Sequence, residues 1–264
     1  MTDPISSAQN PKVKLLQELQ QKSQVRRQRR CFVVEGRREV ERCLANGYEL
    51  DTVFVCQEIL GEAWLPKGHE RVEYVTPYIY NKVAYRGGTE GIIAEVLMSE
   101  RTLTDLQLPE QPLVVVLESV EKPGNLGAVL RSADAAGVDA VIVCDPLCDL
   151  YNPNLIRSST GAFFSVPCVA CTSEACVAFL KERGIQILTA QLQDSDLYYD
   201  VDMRQATAIV MGTEATGLTD LWRKAADAHI RIPMLGISDS LNVSVSAAVL
   251  MYEAVRQRRK NVRR

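Results

Sequence analysis

Histidine is nearly absent from this 264-residue chain: only His69 and His229 occur, and neither lies in a motif. That scarcity argues against histidine general-base chemistry and against a Ser-His-Asp hydrolase, abundant as the serines are. No apolar run approaches the roughly 18 residues that a membrane helix needs, and the opening MTDPISSAQN lacks a signal-peptide pattern. The expectation is a soluble, cytoplasmic protein. Internal repeats and low-complexity tracts are missing as well. What is present suffices for a core: 47% of residues are hydrophobic and 24% charged, which fits one large or two ordinary domains and excludes wholesale disorder.

Net charge is −3, which by itself speaks against a nucleic-acid partner, but the charge is unevenly placed. Between Lys12 and Arg38 stand nine Lys/Arg residues against Glu18 and Glu35, and Arg256, Arg258, Arg259, Lys260, Arg263 and Arg264 close the chain. Basic ends on an acidic body point to a polyanion. The plainer alternative is a pair of solvated helix faces. Eight cysteines include a C-x-x-C at Cys168 and Cys171, with Cys144, Cys148 and Cys176 in the same half. Their flanks are apolar and strand-like and no histidine is near, so free buried thiols are expected in place of a metal or redox site.

Periodicity predicts a basic amphipathic helix over 12–30, a strand over 31–36, and a helix over 37–46 that closes at Gly47. Strands at 50–56, 71–75 and 91–98 and a helix at 78–84 complete a small α/β domain, 1–103. A proline-punctuated linker occupies 104–112. Over 113–264 apolar strands (113–117, 140–144, 166–169, 185–190, 208–211, 230–233) alternate with helices (126–136, 156–161, 173–183, 244–258). That alternation predicts a doubly wound parallel sheet of Rossmann-like type.

Three segments of the second half share a strand-loop-helix grammar. Glu121 to Gly137 holds Gly124 and Gly127 at the wrong spacing for a dinucleotide fingerprint, with Asn125 in the turn and Arg131 on the helix. Taken alone, Arg131 could equally be an ordinary surface arginine. Met211 to Thr219 mimics a phosphate loop, but Leu218 occupies the lysine position and Glu214 would repel a triphosphate. A loop of amides with one carboxylate suits a neutral or cationic ligand. Ile230 to Arg258 runs from a proline-bearing strand through Ser240-Leu241-Asn242 into a long apolar helix. Small polar groups thus gather at a strand-to-helix corner, where open α/β sheets bind ligands.

Together these segments resemble the three motifs of the SpoU (TrmH-type) 2′-O-ribose RNA methyltransferases, in the knotted SPOUT superfamily. The matching residues are Asn125 and Arg131; Gly212, Glu214, Gly217 and Leu218; and Ile232-Pro233-Met234 with Ser240-Leu241-Asn242-Val243-Ser244. The likeness spans 113–258. Asn10-Pro11 and Phe32–Gly36 also look like the family's ribosomal-protein-like substrate-binding domain. The resemblance implies a deep trefoil knot, a homodimer, and S-adenosylmethionine as cofactor. Ala190, Met211, Gly212, Ile232, Met234 and Leu241 would hold the cofactor, and Asn125, Arg131, Glu214, Ser240 and Asn242 would be catalytic. In the family the arginine can come from the partner subunit. Thr213 stands where many relatives carry Asn or Ala. Lys12, Arg26, Arg29, Arg30 and Arg37 are the candidate RNA contacts.

Methyl transfer from a sulfonium needs alignment of the 2′-hydroxyl and no metal, and Glu214 would attract a cationic cofactor. Arg131 is read as stabilising the developing alkoxide, because a guanidinium gives up its proton only above pH ~12. The N-terminal domain favours ribosomal over transfer RNA. A catalytically silent RNA-binding or assembly protein on the same fold is the alternative from another class, and a nucleotide-binding oxidoreductase fails on the missing glycine pattern.

Overall fold

The first helix, α1 (Pro11–Gln21), begins where the sequence supplies a cap: the Asn10 side chain accepts from the Lys12 N–H at 2.9 Å, and Pro11 sits where a missing N–H costs nothing. The computed structural model describes residues 3–61, 71–85, 90–213 and 216–259. Contacts divide the chain into two units, Met1–Glu100 with Asp149–Phe164, and Arg101–Cys148 with Ser165–Arg264.

In the first unit the predicted helix over 12–30 is two helices. Lys22 is extended, and α2 (Ser23–Arg29) follows it. The reason lies in Arg26, whose guanidinium turns inward and donates to the carbonyls of Leu19 and Gln20 at 2.6 and 3.2 Å. It thereby satisfies the orphan carbonyls that a terminated α1 leaves. Strand β1 (Cys31–Glu35), α3 (Arg37–Ala45), β2 (Leu50–Val55), the short α4 (Gln57–Leu60), β3 (Val72–Tyr74), α5 (Pro77–Val83) and β4 (Ile92–Leu97) follow. The sheet order is β1-β4-β2-β3, with β4 antiparallel to both β1 and β2. One apolar cluster, including Val13, Leu16 and Leu19 of α1 with Phe54, Ile79 and Ile93, covers one face.

Glu95, at 4% exposure in β4, is a buried carboxyl with one oxygen lacking a partner among the described residues. Burial, aided by the Asp51 charge and opposed by Arg29, pushes its pKa up to about 7. A carboxyl that holds its proton more tightly when folded favours the folded state below its unfolded pKa. That stability is lost as pH rises through about 7. Glu95→Gln is therefore expected to become more stable relative to the parent as pH is raised from about 5 to about 8. Urea melts at the two pH values measure this, and a pH-independent difference would contradict it.

The second unit opens with a single 3-10 turn (Leu103–Asp105) and then β5 (Leu113–Glu118), buried throughout. After it come α6 (Pro123–Ala136) and β6 (Ala140–Cys144). The next helices, α7 (Pro153–Ser158) and α8 (Ala162–Ser165), lie largely in the stretch that clusters with the first unit. There Tyr151 stacks obliquely on Phe32 at 4.7 Å, and Phe164 meets Tyr48 edge-on at 5.2 Å. Then follow β7 (Cys168–Cys171), α9 (Ser173–Glu182), β8 (Gln186–Ala190), β9 (Asp196–Leu197), β10 (Thr207–Met211), α10 (Asp220–Ala225), β11 (Ala228–Arg231) and α11 (Val243–Arg258). The seven strands run parallel in the order β7-β6-β5-β10-β8-β11-β9. Val114, Val116, Ile142, Val210 and Trp222 belong to the core on one face. The α/β architecture and the parallel sheet match the expectation. The additions β9, α4, α8 and α10 are too short to carry a period.

The C-terminal basic run also has a structural part. Arg258 donates to the carbonyls of Met203, Gln111, Pro112 and Gln205 at 2.6–3.0 Å, which fastens the end of α11. Arg256 pairs with Glu253 at 2.7 Å. Residues 260–264 lie outside the described residues.

Candidate functional site

Three neighbouring strands, β10, β8 and β11, end side by side because parallel strands share one carboxyl edge. Around those ends lies a cavity of about 370 Å³. Its lining includes Ala190 at the end of β8, Met211 and Gly212 at the end of β10, Ile232 and Met234 after β11, and Ser240 and Leu241 before α11. One fold feature thus collects all six residues read as cofactor-binding, together with Ser240. Thr213, Thr216 and Asp239, which the motif segments contain without a role assigned to them, also face it, as do Gln191 and Arg223 outside those segments. Gln191 could have been found, since it directly follows a strand end.

The loop after β10 is tightly closed. Thr213 and Gly217 pair as an antiparallel bridge, with N–H to carbonyl distances of 3.3 and 3.0 Å, and the Thr213 hydroxyl accepts from the Thr216 N–H at 3.0 Å. Gly217 adopts φ +69°, a conformation that glycine takes without strain. At Gly212 a side chain has no room: a Cβ would overlap the carbonyl of Gly217 and come within 2.6 Å of the Leu218 nitrogen. Beyond the loop, the buried carboxylate of Glu118 accepts from the Thr219 N–H at 2.9 Å and its hydroxyl at 2.7 Å. That fixes the start of α10 to the end of β5. Glu214 falls outside the described residues.

Asn242 is the N-cap of α11. Its Oδ1 accepts from the Ser244 N–H at 3.0 Å, and its Nδ2 donates to Asn125 Oδ1 at 3.3 Å. Two of the presumed catalytic groups, 117 residues apart in sequence, therefore touch. Asn125 lines a smaller cavity of about 150 Å³ that shares Gly212, Thr213 and Val243 with the large one. Arg131 lines neither cavity. It lies exposed on α6 with no hydrogen bond or ion pair among the described residues.

In the first unit the expected RNA contacts separate into different classes. Arg29 is exposed and unpaired among the described residues, Lys12 pairs with Glu73, Arg30 with Glu100, and Arg37 with Glu41. Arg26 corrects the expectation: it is 2% exposed and bonded to Asp149 at 2.6 Å, so it holds the fold together and offers no charge to solvent. Tyr85, which the sequence reading did not single out, is half exposed, with Arg157 over its ring at 5.4 Å.

Two family models match successive stretches of the chain. Residues 10–94 match the model of the MRM3-like substrate binding domain. The chain is 29% identical over 248 residues to the Bacillus subtilis 23S rRNA (guanosine(2553)-2′-O)-methyltransferase RlmP, covering 94% of this chain and 97% of that relative. To the Bordetella pertussis 23S rRNA (guanosine-2′-O-)-methyltransferase RlmB it is 41% identical, over 64% of this chain and 71% of the relative. A crystal structure described as an RNA 2′-O ribose methyltransferase superposes with a TM-score of 0.84 at 40% identity, over 97% of this chain and 99% of the other. The SpoU methyltransferase AviRb of Streptomyces viridochromogenes, solved with AdoMet, gives 0.85 at 29% identity, over 95% and 98%. Residues 112–252, which carry the strand-end cavity and the Asn125–Asn242 contact, match the SpoU rRNA methylase model, and the chain belongs to the SpoU rRNA methylase family.

Proposed function

We propose that this protein is an S-adenosylmethionine-dependent methyltransferase that modifies a ribose 2′-hydroxyl of ribosomal RNA. The observation that carries the reading is that the strand-end cavity and the chamber lined by Asn125 share Gly212, Thr213 and Val243 as walls: one can seat a cofactor, the other a ribose. The residues present fit the cofactor. Gln191 Oε1 is buried in the described residues without a partner and awaits a donor such as an amino group or a ribose hydroxyl. Apolar Met211, Ile232 and Leu241 supply walls for a flat base, and the bare backbone of Gly212 allows close approach. When bound, S-adenosylmethionine supplies an electrophilic methyl on a sulfonium. The rRNA assignment over tRNA follows the relatives, whose names specify 23S rRNA.

On the protein side, the linked amides of Asn125 and Asn242 orient the ribose, and α11, capped by Asn242, gives them a rigid base. A guanidinium stays protonated, so Arg131 stabilises the alkoxide as the hydroxyl proton leaves to phosphate or water. Because Arg131 lines neither of these two cavities, the reading places it in the site of a second copy, in the homodimer and knotted topology of the family. Fully exposed Leu235 and Ile237, with Val245 and Tyr252, provide apolar surface for that partner. Arg29, with Tyr85 and Arg157, would meet the RNA. No helix among the described residues is long and apolar enough to cross a membrane, and the cytoplasm, where ribosomes form, is the compartment proposed.

A mixed-dimer experiment tests this. Arg131→Ala and Asn242→Ala are each expected to lower turnover at least ~100-fold, the first with cofactor affinity retained. Co-expressing the two should restore activity, since one site of each mixed dimer carries neither change. Failure to restore it would place Arg131 in its own chain's site or outside the chemistry.

A further inference from the structure

Three of the eight cysteines meet at a place that methyl transfer does not use. Cys144 ends β6 and Cys171 ends β7, and the two are register partners in a parallel pair, so their side chains share one face of the sheet. Cys176 lies in the first turns of α9, which starts directly after β7. The Cys144 and Cys171 sulfurs are 4.0 Å apart, and all three sulfurs lie within 4.8 Å of one another. The C-x-x-C pair that stands out in the sequence is not the pair that meets. Cys168 and Cys171 are three residues apart on one strand and point to opposite faces.

The spacing decides between two uses of converging thiols. A disulfide brings sulfurs to about 2 Å and consumes two of them, leaving the third without a role. Three sulfurs around one ion, each with a metal–sulfur bond of ~2.3 Å, form a triangle with sides of about 4 Å. Cys144 and Cys176 are buried while Cys171 is partly open, which leaves an entry path. Two features add to the match. The Asp145 carboxylate next to Cys144, held by the Ser173 hydroxyl at 2.6 Å, contributes negative charge that favours a cation. No other His, Cys, Asp or Glu joins the cluster among the described residues, which favours a soft ion content with sulfur donors.

We infer that Cys144, Cys171 and Cys176 form a binding site for a single thiophilic d10 cation, Cu(I) or Zn(II), at the β6–β7 edge of the sheet. Binding forms three metal–sulfur bonds and releases the thiol protons to solvent, with no change of oxidation state. Cu(I) is complete with three sulfurs, whereas Zn(II) takes a water as a fourth ligand. The ion ties β6, β7 and α9 together, at the opposite end of the sheet from β11 and the strand-end cavity.

The whole 264-residue chain, reduced and stripped of metal under anaerobic conditions, would be titrated with Cu(I) and separately with Zn(II), each against a competing chelator. One equivalent is expected with at least one of the two ions, along with a rise in melting temperature. X-ray absorption distinguishes the sources: three sulfurs alone for Cu(I), three sulfurs and one oxygen for Zn(II). Cys176→Ser and the more exposed Cys171→Ser should both lose the equivalent while keeping the metal-free melting temperature, and Cys168→Ser should retain it. The inference is overturned if neither ion competes with its chelator, if both variants bind as the parent does, or if Cys168→Ser abolishes uptake. Because the readout is metal content and coordination, failure here leaves the methyltransferase reading untouched.

Discussion

Gly212→Ala is expected to abolish measurable S-adenosylmethionine binding, with affinity falling at least ~100-fold while the protein stays folded. The added methyl would run into the Gly217 carbonyl and the Leu218 nitrogen, and both are backbone atoms that no rotamer change can clear. The Thr213–Gly217 bridge must open or the loop must move away from β10, and either shift deforms the cavity wall. Overpacking of this kind costs roughly 1–3 kcal/mol of stability, a modest drop in melting temperature beside the loss of binding. Gly236→Ala is the control: its Cβ would meet nothing within 4 Å among the described residues. Calorimetric titration of both variants measures the contrast, and Gly212→Ala binding within a few-fold of the parent would remove this loop from the cofactor site.

The largest stability loss is expected from Arg26→Ala, about 3–5 kcal/mol, because it strands the Asp149 carboxylate, itself only 14% exposed, without its partner. The same change frees the carbonyls of Leu19 and Gln20 at the end of α1. Removing both charges together, as Arg26→Met with Asp149→Leu, should cost much less, since no uncompensated ion remains. Arg29→Ala, three residues on, should leave stability within roughly 0.5 kcal/mol but weaken RNA binding and flatten its salt dependence. Denaturant melts and RNA titrations at two salt concentrations separate the two arginines. Equal stability for Arg26→Ala and Arg29→Ala would show that the buried pair contributes little.

That contrast shows where sequence reading stops. Arg26 and Arg29 stand in one basic run and look alike there. What separates them is a carboxylate 123 residues away, which no local pattern announces. The break of the first helix at Lys22 is hidden for the same reason, because it depends on Arg26 folding back onto α1. The thiols behave likewise: spacing draws attention to Cys168 and Cys171, while strand register joins Cys171 to Cys144. The short β9 and α10 left no periodic trace at all.

Local patterns along the chain suffice for the α/β alternation, the parallel sheet and the family. Apolar runs, caps and glycines act over a few residues, and three motifs in fixed order identify the SpoU family without knowledge of a contact. The sequence also marked out seven of the residues around the cavity, since residues at the carboxyl ends of parallel strands converge wherever the sheet places those strands. Which charges are buried, which asparagines touch and which cysteines meet emerges only on folding. Those outcomes turn on distances between residues far apart in the chain, set by packing and register. Arg131 marks the limit of both: the motif names it, and its own chain's fold leaves it facing outward.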